Sequence, residues 1–293
     1  MKSGFVSIIG RPNAGKSTLL NALAGEKIAV VSDKPQTTRN RIMGIVTTDE
    51  YQVVFLDTPG IHRPRTKLGE FMVKEANESM NAVDMIVFVV EPGFMTENEK
   101  IIQKIKQIPV PVLLVINKID QMEKEKLLQI IASYSSKMDF DAVIPISALS
   151  GEGVEIVMEE IVSRLEEGPM YFPDDMITDQ PEKQIAAEII REKALWCLDK
   201  EVPHGIAVEV TSFQENEKEI LEIQATIFCE KKSHKGIIIG KNGAMLKKIG
   251  TMARKDMERF MGTKVFLELW VKVREDWRNL TQSLKNFGYD QKK

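Results

Sequence analysis

Gly10-Arg11-Pro12-Asn13-Ala14-Gly15-Lys16-Ser17 decides how this chain is read. Before it, Phe5-Val6-Ser7-Ile8-Ile9 is a short apolar run suited to a strand, and after it residues 18–24 carry a helical pattern. A G-x-x-x-x-G-K-[ST] segment between a strand and a helix lets backbone N–H groups curl around phosphate oxygens, with the positive end of a helix dipole behind them. Lys16 is then placed to reach β- and γ-phosphates, and the Ser17 hydroxyl, next to Thr18, to ligate Mg²⁺. A glycine turn without a ligand could share this spacing, but the flanking strand and helix favour phosphate.

Asn117-Lys118-Ile119-Asp120 follows the apolar run 110–116, which reads as a buried parallel strand. A carboxylate can accept two hydrogen bonds from the N1–H and N2–H₂ edge of guanine, and adenine offers no such donor pair. Asp120 therefore selects GTP over ATP. Asn117 is placed to hold the loop and touch the purine, and the stem of Lys118 to lie over the base. As a solvated turn, N-K-x-D is common. Its weight comes from its place at a strand end, about a hundred residues beyond a phosphate loop.

A third element, Asp57-Thr58-Pro59-Gly60, follows Val53-Val54-Phe55-Leu56. Asp57 is expected to hold Mg²⁺ through water, and the Gly60 N–H to meet the γ-phosphate. Between the first and third elements, Pro35-Gln36-Thr37-Thr38-Arg39 is a polar segment suited to a switch, in which the Thr38 hydroxyl completes the Mg²⁺ shell when the γ-phosphate is present. Ser147-Ala148-Leu149, after the run 142–146, could support the base from behind. Lys16, Thr38, Gly60 and Asn13 are the candidate catalytic groups, and Ser17, Thr38 and Asp57 the metal ligands.

Apolar strands alternate with helical patterns through the first 165 residues: strands over 5–10, 44–48, 51–56, 85–90, 110–116 and 143–146, helices over 16–25, 67–81, 96–107, 124–135 and 153–165. This predicts an α/β domain, a mostly parallel sheet with helices on both faces and nucleotide at the carboxyl ends of its strands. The expected organisation is a GTP-binding domain over 1–167, a Pro- and Asp-rich linker over 168–180, and a second domain over 181–293. There the pattern predicts a helix from Pro181 to about Glu201, strands over 206–213 and 219–229, a helix over 244–261, a strand over 264–273 and a terminal helix over 276–284.

Charge separates the two parts. Residues 181–293 carry 21 Lys and Arg against 17 Asp and Glu, whereas residues 1–180 carry 19 against 26. Between Lys231 and Arg274 there are 12 basic and three acidic residues, a local excess that fits a polyanionic partner. No run of 18 or more apolar residues occurs, so no transmembrane helix is expected, and a first strand within five residues of Met1 leaves no room for a signal peptide. Cys197 and Cys229 lack C-x-x-C spacing and read as buried thiols of a reducing compartment; His62, His204 and His234 lack metal spacing, and His62 reads as a solvated loop residue.

The set GRPNAGKS, PQTTR, DTPG, NKID and SAL resembles the Era group of translation-factor-related GTPases. The order α-β-β-α-α-β, with Gly240-Lys241-Asn242-Gly243 between the two later helices, resembles a type II KH domain. The resemblance implies GTP/GDP binding with Mg²⁺, slow hydrolysis, and binding of small-subunit (16S) ribosomal RNA near its 3′ end in assembly of the 30S subunit. It also implies a cytoplasmic protein, peripheral on the inner membrane, and a monomer is expected. Asn13 resembles the residue that ligates a monovalent cation next to the β/γ-phosphates in related GTPases, where K⁺ could offset developing charge; the alternative is that Asn13 only stabilises the turn. Where many GTPases carry a water-orienting Gln after D-x-x-G, this chain has Ile61, so intrinsic hydrolysis is expected to be slow.

The residues suit RNA as well. The G-x-x-G turn lets backbone approach phosphates closely, and Lys241 adds charge. Lys235, Gly236, Ile239, Gly240, Lys241, Asn242, Gly243, Lys247 and Lys248 are the candidate RNA contacts, Ile237, Ile238 and Ile239 could form an apolar floor for bases, and Arg254 and Lys255 extend the surface. Alone, a glycine turn between helices and a solvated charged helix face would explain these residues. Two alternative functions stand beside this one: a GTPase acting in tRNA modification, which needs a further cofactor domain, and a nucleotide-dependent phosphotransferase, which Asn117 and Asp120 argue against.

Overall fold

The computed structural model describes residues 1–34, 36–61, 64–81, 83–93 and 95–289; Pro35 and His62 lie outside them. The chain forms two compact units. The first comprises Met1–Val31, Thr38–Arg63 and Met72–Asp179, and the second Ser32–Thr37, Pro64–Phe71 and Gln180–Lys293.

The first unit runs β1 (Lys2–Gly10), α1 (Lys16–Ala24), β2 (Ile42–Thr47), β3 (Tyr51–Asp57), α2 (Lys67–Glu78, its first turn in the second unit), β4 (Met85–Val90), α3 (Met95–Ile105), β5 (Val112–Ile116), α4 (Lys124–Ser135), β6 (Ala142–Pro145) and α5 (Val154–Arg164). Its six strands lie in the order β2-β3-β1-β4-β5-β6; only β2 runs antiparallel, against β3. Every residue of β4 and β5 is buried. Alternate residues feed two cores. Val87, Val89, Leu113 and Val115 meet α1 and α5 at Leu19, Leu20, Val157 and Ile161, while Ile86, Phe88, Leu114 and Ile116 meet α3 and α4 at Ile101, Ile105 and Tyr134. Burial on both faces explains why these strands read as continuous apolar runs.

The segment expected as a linker is fastened to this sheet. Gln52, fully buried, accepts from the amides of Tyr171 (2.7 Å) and Phe172 (3.0 Å) and donates to the Phe172 carbonyl (2.8 Å). The Ile45 N–H donates to Ile177 and the Thr178 hydroxyl to the Met43 carbonyl, so residues 171–178 satisfy part of the open edge of β2.

The second unit contains α6 (Glu182–Cys197), β7 (Ala207–Glu215), β8 (Ile220–Cys229), α7 (Lys232–Ile239), α8 (Ala244–Met261), β9 (Lys264–Val273) and α9 (Thr281–Asn286). β8 is central, antiparallel to β7 and parallel to β9. A parallel neighbour requires a crossover, which α7 and α8 supply. Ile249, Ala253 and Met257, spaced four apart on α8, join Ile189 and Ile190 of α6 over Ile223, Ala225 and Val265. The terminal segment departs from the single helix expected: Asp276 is left-handed (φ 49°), residues 277–279 form one 3-10 turn, and α9 follows. Trp277 accounts for the break, because it is fully buried and its indole N–H donates to the Gly205 carbonyl at 2.8 Å. Among the described residues no helix is long and apolar enough to cross a membrane.

Candidate functional site

Five chain segments converge at the carboxyl ends of the first unit's strands: Gly10 to Ser17 after β1, Asp57 to Gly60 after β3, Glu91 after β4, Asn117 to Asp120 after β5, and Ser147 to Leu149 after β6. Gly15 opens α1 in a left-handed conformation (φ 96°), and a Cβ there would stand 2.0 Å from the Asn117 amide nitrogen. Gly60 fits because a side chain would strike the Pro12 backbone at 2.4 Å, which brings the D-x-x-G turn against the phosphate loop. The Ile61 N–H donates to the Gly10 carbonyl, and its side chain packs on the α3–α4 core, so Ile61 serves to bind these two loops together.

The candidate metal ligands meet. Ser17 Oγ donates to Asp57 Oδ2 at 2.6 Å and lies 2.8 Å from Thr38 Oγ1. Asp57 is fully buried, and its Oδ1 has no hydrogen-bond partner. Burial pushes its carboxyl up to about 6, against the opposing pull of Lys16 and of the Ser17 and Thr38 hydroxyls. Two hydroxyls and an under-satisfied carboxylate form a hard oxygen set that fits Mg²⁺. Lys16 is 5% exposed and donates to the Arg11 carbonyl of its own loop at 2.9 Å. Burial lowers its pKa, with Asp57 and Glu91 opposing. Arg11, Pro12 and exposed Asn13, left-handed at φ 64°, form the loop's outer rim; Ala14 is buried beneath it and Thr18 lies on the first turn of α1.

Asn117 ties the site together. Its Nδ2 donates to the Ala14 carbonyl and its Oδ1 accepts from the Ala148 amide, each at 2.9 Å. Both ends of its amide thus hold loops, which makes it a strut between phosphate loop and base loop. Ser147 is buried with its N–H on the Glu152 carbonyl, and Leu149 is 82% exposed. Asp120 is exposed on a 3-10 turn at 119–121. Lys118, left-handed at φ 66°, forms an ion pair with Glu91. Glu91 went unnoticed in the sequence. Its signal was position, immediately after a buried strand on the edge where the other motifs end.

In the second unit, Gly240 breaks α7 from α8 at φ 73°, and a Cβ would lie 2.7 Å from the Met245 Cβ. Lys241, Asn242 and Gly243 form an outward 3-10 turn that starts α8. Next to it, a shallow groove of about 360 Å³ between α8 and the edge strand β9 is lined by Gly243, Leu246, Lys247, Gly250, Thr251, Arg254, Leu267 and Leu269. Of the residues singled out in the sequence, Gly243, Lys247 and Arg254 line it. Lys241 and Asn242 are exposed at its end, Lys248 and Lys255 are exposed outside the lining, and Lys235 and Gly236 lie on exposed turns of α7. The apolar floor is not Ile237 to Ile239. Ile238 is fully buried, Ile239 packs on the core and Ile237 is 51% exposed, because three successive helical residues spread over about 200° of arc. The floor is Leu246, Leu267 and Leu269, and no periodicity in the sequence could show that α8 and β9 flank one groove.

A G-x-x-x-x-G-K-S loop, an N-K-x-D turn and the oxygen cluster of Ser17, Thr38 and Asp57 on one parallel sheet, followed by a KH unit, fit a two-part P-loop GTPase. A family model described as 50S ribosome-binding GTPase matches residues 5–118, and a KH domain model matches 201–278. The GTPase Era of Ruminiclostridium cellulolyticum is 60% identical over 292 residues, covering 98% of this chain and 97% of that one; the Alkaliphilus metalliredigens GTPase Era is 54% identical, covering 99% of each. Two solved structures, an Aquifex aeolicus Era variant bound to GDP·AlF₄⁻ and Era with MgGDPNP and nucleotides 1506–1542 of 16S ribosomal RNA, each superpose with TM-score 0.96 at 42% identity, over 99% of this chain and 100% of theirs. The chain belongs to the Era GTPase family.

Proposed function

We propose that this GTPase holds GTP with Mg²⁺ in the first unit and single-stranded RNA of the 16S 3′ region in the groove of the second, and that it acts in 30S subunit assembly. The convergence of Ser17 Oγ, Thr38 Oγ1 and Asp57 around a buried, under-satisfied carboxylate beside Lys16 carries the nucleotide half. Mg²⁺, when bound, would neutralise charge on the β- and γ-phosphates. Lys16 leaves the Arg11 carbonyl for phosphate, Asp120 reads the guanine edge, and Asn117 keeps the two loops in register. Ile61 cannot orient water, which makes unassisted turnover slow. Asn13, at the exposed rim of the loop, would hold K⁺ against the nucleotide, where the cation would offset developing charge.

The RNA half rests on the groove, whose leucines offer a floor and whose Lys247 and Arg254 offer phosphate contacts. Binding of a 16S 3′-end fragment with GDP and with a non-hydrolysable GTP analogue, alongside GTP turnover in K⁺ and Na⁺, tests the whole reading. We expect tight, salt-dependent RNA binding and faster turnover in K⁺, the latter difference disappearing in Asn13→Ala. Equal turnover in both salts would remove K⁺, and absent RNA binding would remove the second half.

A further inference from the structure

Strand β9 has a second face. Lys264, Phe266, Glu268, Trp270 and Lys272 alternate with the core residues Val265, Leu267, Leu269, Val271 and Val273, so they share the side turned away from α6 and α8. Phe266 is 55% and Trp270 43% exposed, and Lys264 and Lys272 are exposed at either end. Four residues separate the rings, roughly 13 Å along the strand. Part of this face is covered further along, where Phe228 packs on Phe287 with Arg274 over both rings; the stretch at Phe266 and Trp270 is left open.

Three acids share this face: Glu268 and Glu222, both engaged as acceptors, and Glu209 on β7, in register with Thr226 and, beyond it, Trp270. Glu268 takes a hydrogen bond from Gln224 at 3.0 Å and Glu222 one from Asn216 at 2.8 Å. Among the described residues β9 pairs only with β8, so it is an edge of its sheet, and the groove lies on the other side of that same edge through Leu267 and Leu269. A KH turn clamps about four nucleotides, so a longer single strand extends beyond the groove, and the β9 edge is one of the surfaces beside it.

We propose that the outward stripe of β9 is a second contact for single-stranded RNA, with bases stacking on Phe266 and Trp270 and phosphates meeting Lys264 and Lys272. Aromatic rings between cations on an exposed strand are a sequence-tolerant platform, because every base has a π-face. The proposal rests on the RNA reading of the groove, and it continues that track around the strand edge.

The test uses the full chain and two labelled RNAs from the 16S 3′ end, one of about five nucleotides that fills the groove and one of about twelve. In Phe266→Ala/Trp270→Ala the short strand should bind as in the unsubstituted protein, and the long strand about tenfold more weakly. Trp270→Phe, which keeps a stacking ring, should restore most of the loss. Unchanged binding of the long strand would overturn the proposal. Should that result be joined by lost association with small ribosomal subunits, the face docks protein instead. An equal loss for both strands would mean a disturbed groove and would also overturn it. If the unsubstituted chain binds neither strand, the groove reading falls first and this one with it.

Discussion

The nucleotide site and the proposed RNA groove solve opposite problems. In the first, Lys16, Thr38, Asp57 and Asn117 are all less than a tenth exposed. Their charges and amides are desolvated, and they satisfy one another in part: Lys16 on a loop carbonyl, Asp57 with one oxygen partnered and one without. In the second, Lys241, Lys247 and Arg254 stay in water beside a shallow leucine floor. A desolvated site discriminates by single atoms, since any group left unpaired costs the full desolvation penalty. A solvated cationic groove binds by counterion release and shape, and its affinity is spread over many weak contacts.

If that contrast holds, the sharpest effect belongs to Asp120. Asp120→Asn should weaken GTP binding by roughly 10³-fold and favour xanthosine triphosphate, whose O2 accepts where guanine donates. Competition between the two nucleotides reads this directly, and unchanged guanine preference would remove Asp120 from the base site. Next is Lys16→Ala, which should lower turnover by roughly 10²-fold while RNA binding of the nucleotide-free chain stays within about twofold. A comparable loss in RNA affinity would break the separation of the two sites.

The groove should respond more gradually. Gly240→Asp with Gly243→Asp places carboxylates against phosphates, at two positions of positive φ, and should lower RNA affinity about tenfold or more while GTP turnover is retained. The salt slope of log K should also flatten by about 0.7 for every phosphate that the variant no longer neutralises. The smallest effect concerns pH. Asp57 has its carboxyl raised to about 6 by burial, so its contribution to the stability of the ligand-free fold is present below its ordinary range and is lost as pH rises through about 6. Asp57→Asn should therefore melt a few degrees higher than the unsubstituted chain at pH 7.5, with the gap closing by pH 4. Below pH 6 the proton competes with the metal, so Mg²⁺-dependent nucleotide affinity should fall on acidification in the unsubstituted chain and not in the variant. A thermal melt and a metal titration at both pH values measure these.

Legibility followed the same division. Four motifs of the nucleotide site could be read in order, because each sits at the end of an apolar strand and its spacing is local; the segment around Thr38, between α1 and β2, was read from its polarity instead. Glu91 escaped because a lone acid after a strand carries no pattern; only its ion pair with Lys118 gives it a role. The glycine turn beside the groove was legible, but the apolar residues expected next to it are not the ones that line it. Ile237 to Ile239 are contiguous in sequence and dispersed on a helix, whereas Leu246, Leu267 and Leu269 are scattered in sequence and adjacent in space.

The same limit applies to the units themselves. Periodicity placed 32–37 and 64–71 within the α/β region and marked 168–180 as a tether. In the fold the first two stretches belong with the second unit, and residues 171–178 line the edge of β2. The amino-acid sequence by itself determined the phosphate loop, the N-K-x-D turn, the parallel sheet and the KH order, because local conformation and alternation of apolar residues are properties of short segments. Tertiary structure alone decided which carboxylate oxygen is left without a partner, which leucines make a floor and which loops join which unit, because burial and long-range hydrogen bonding depend on what the rest of the chain brings alongside.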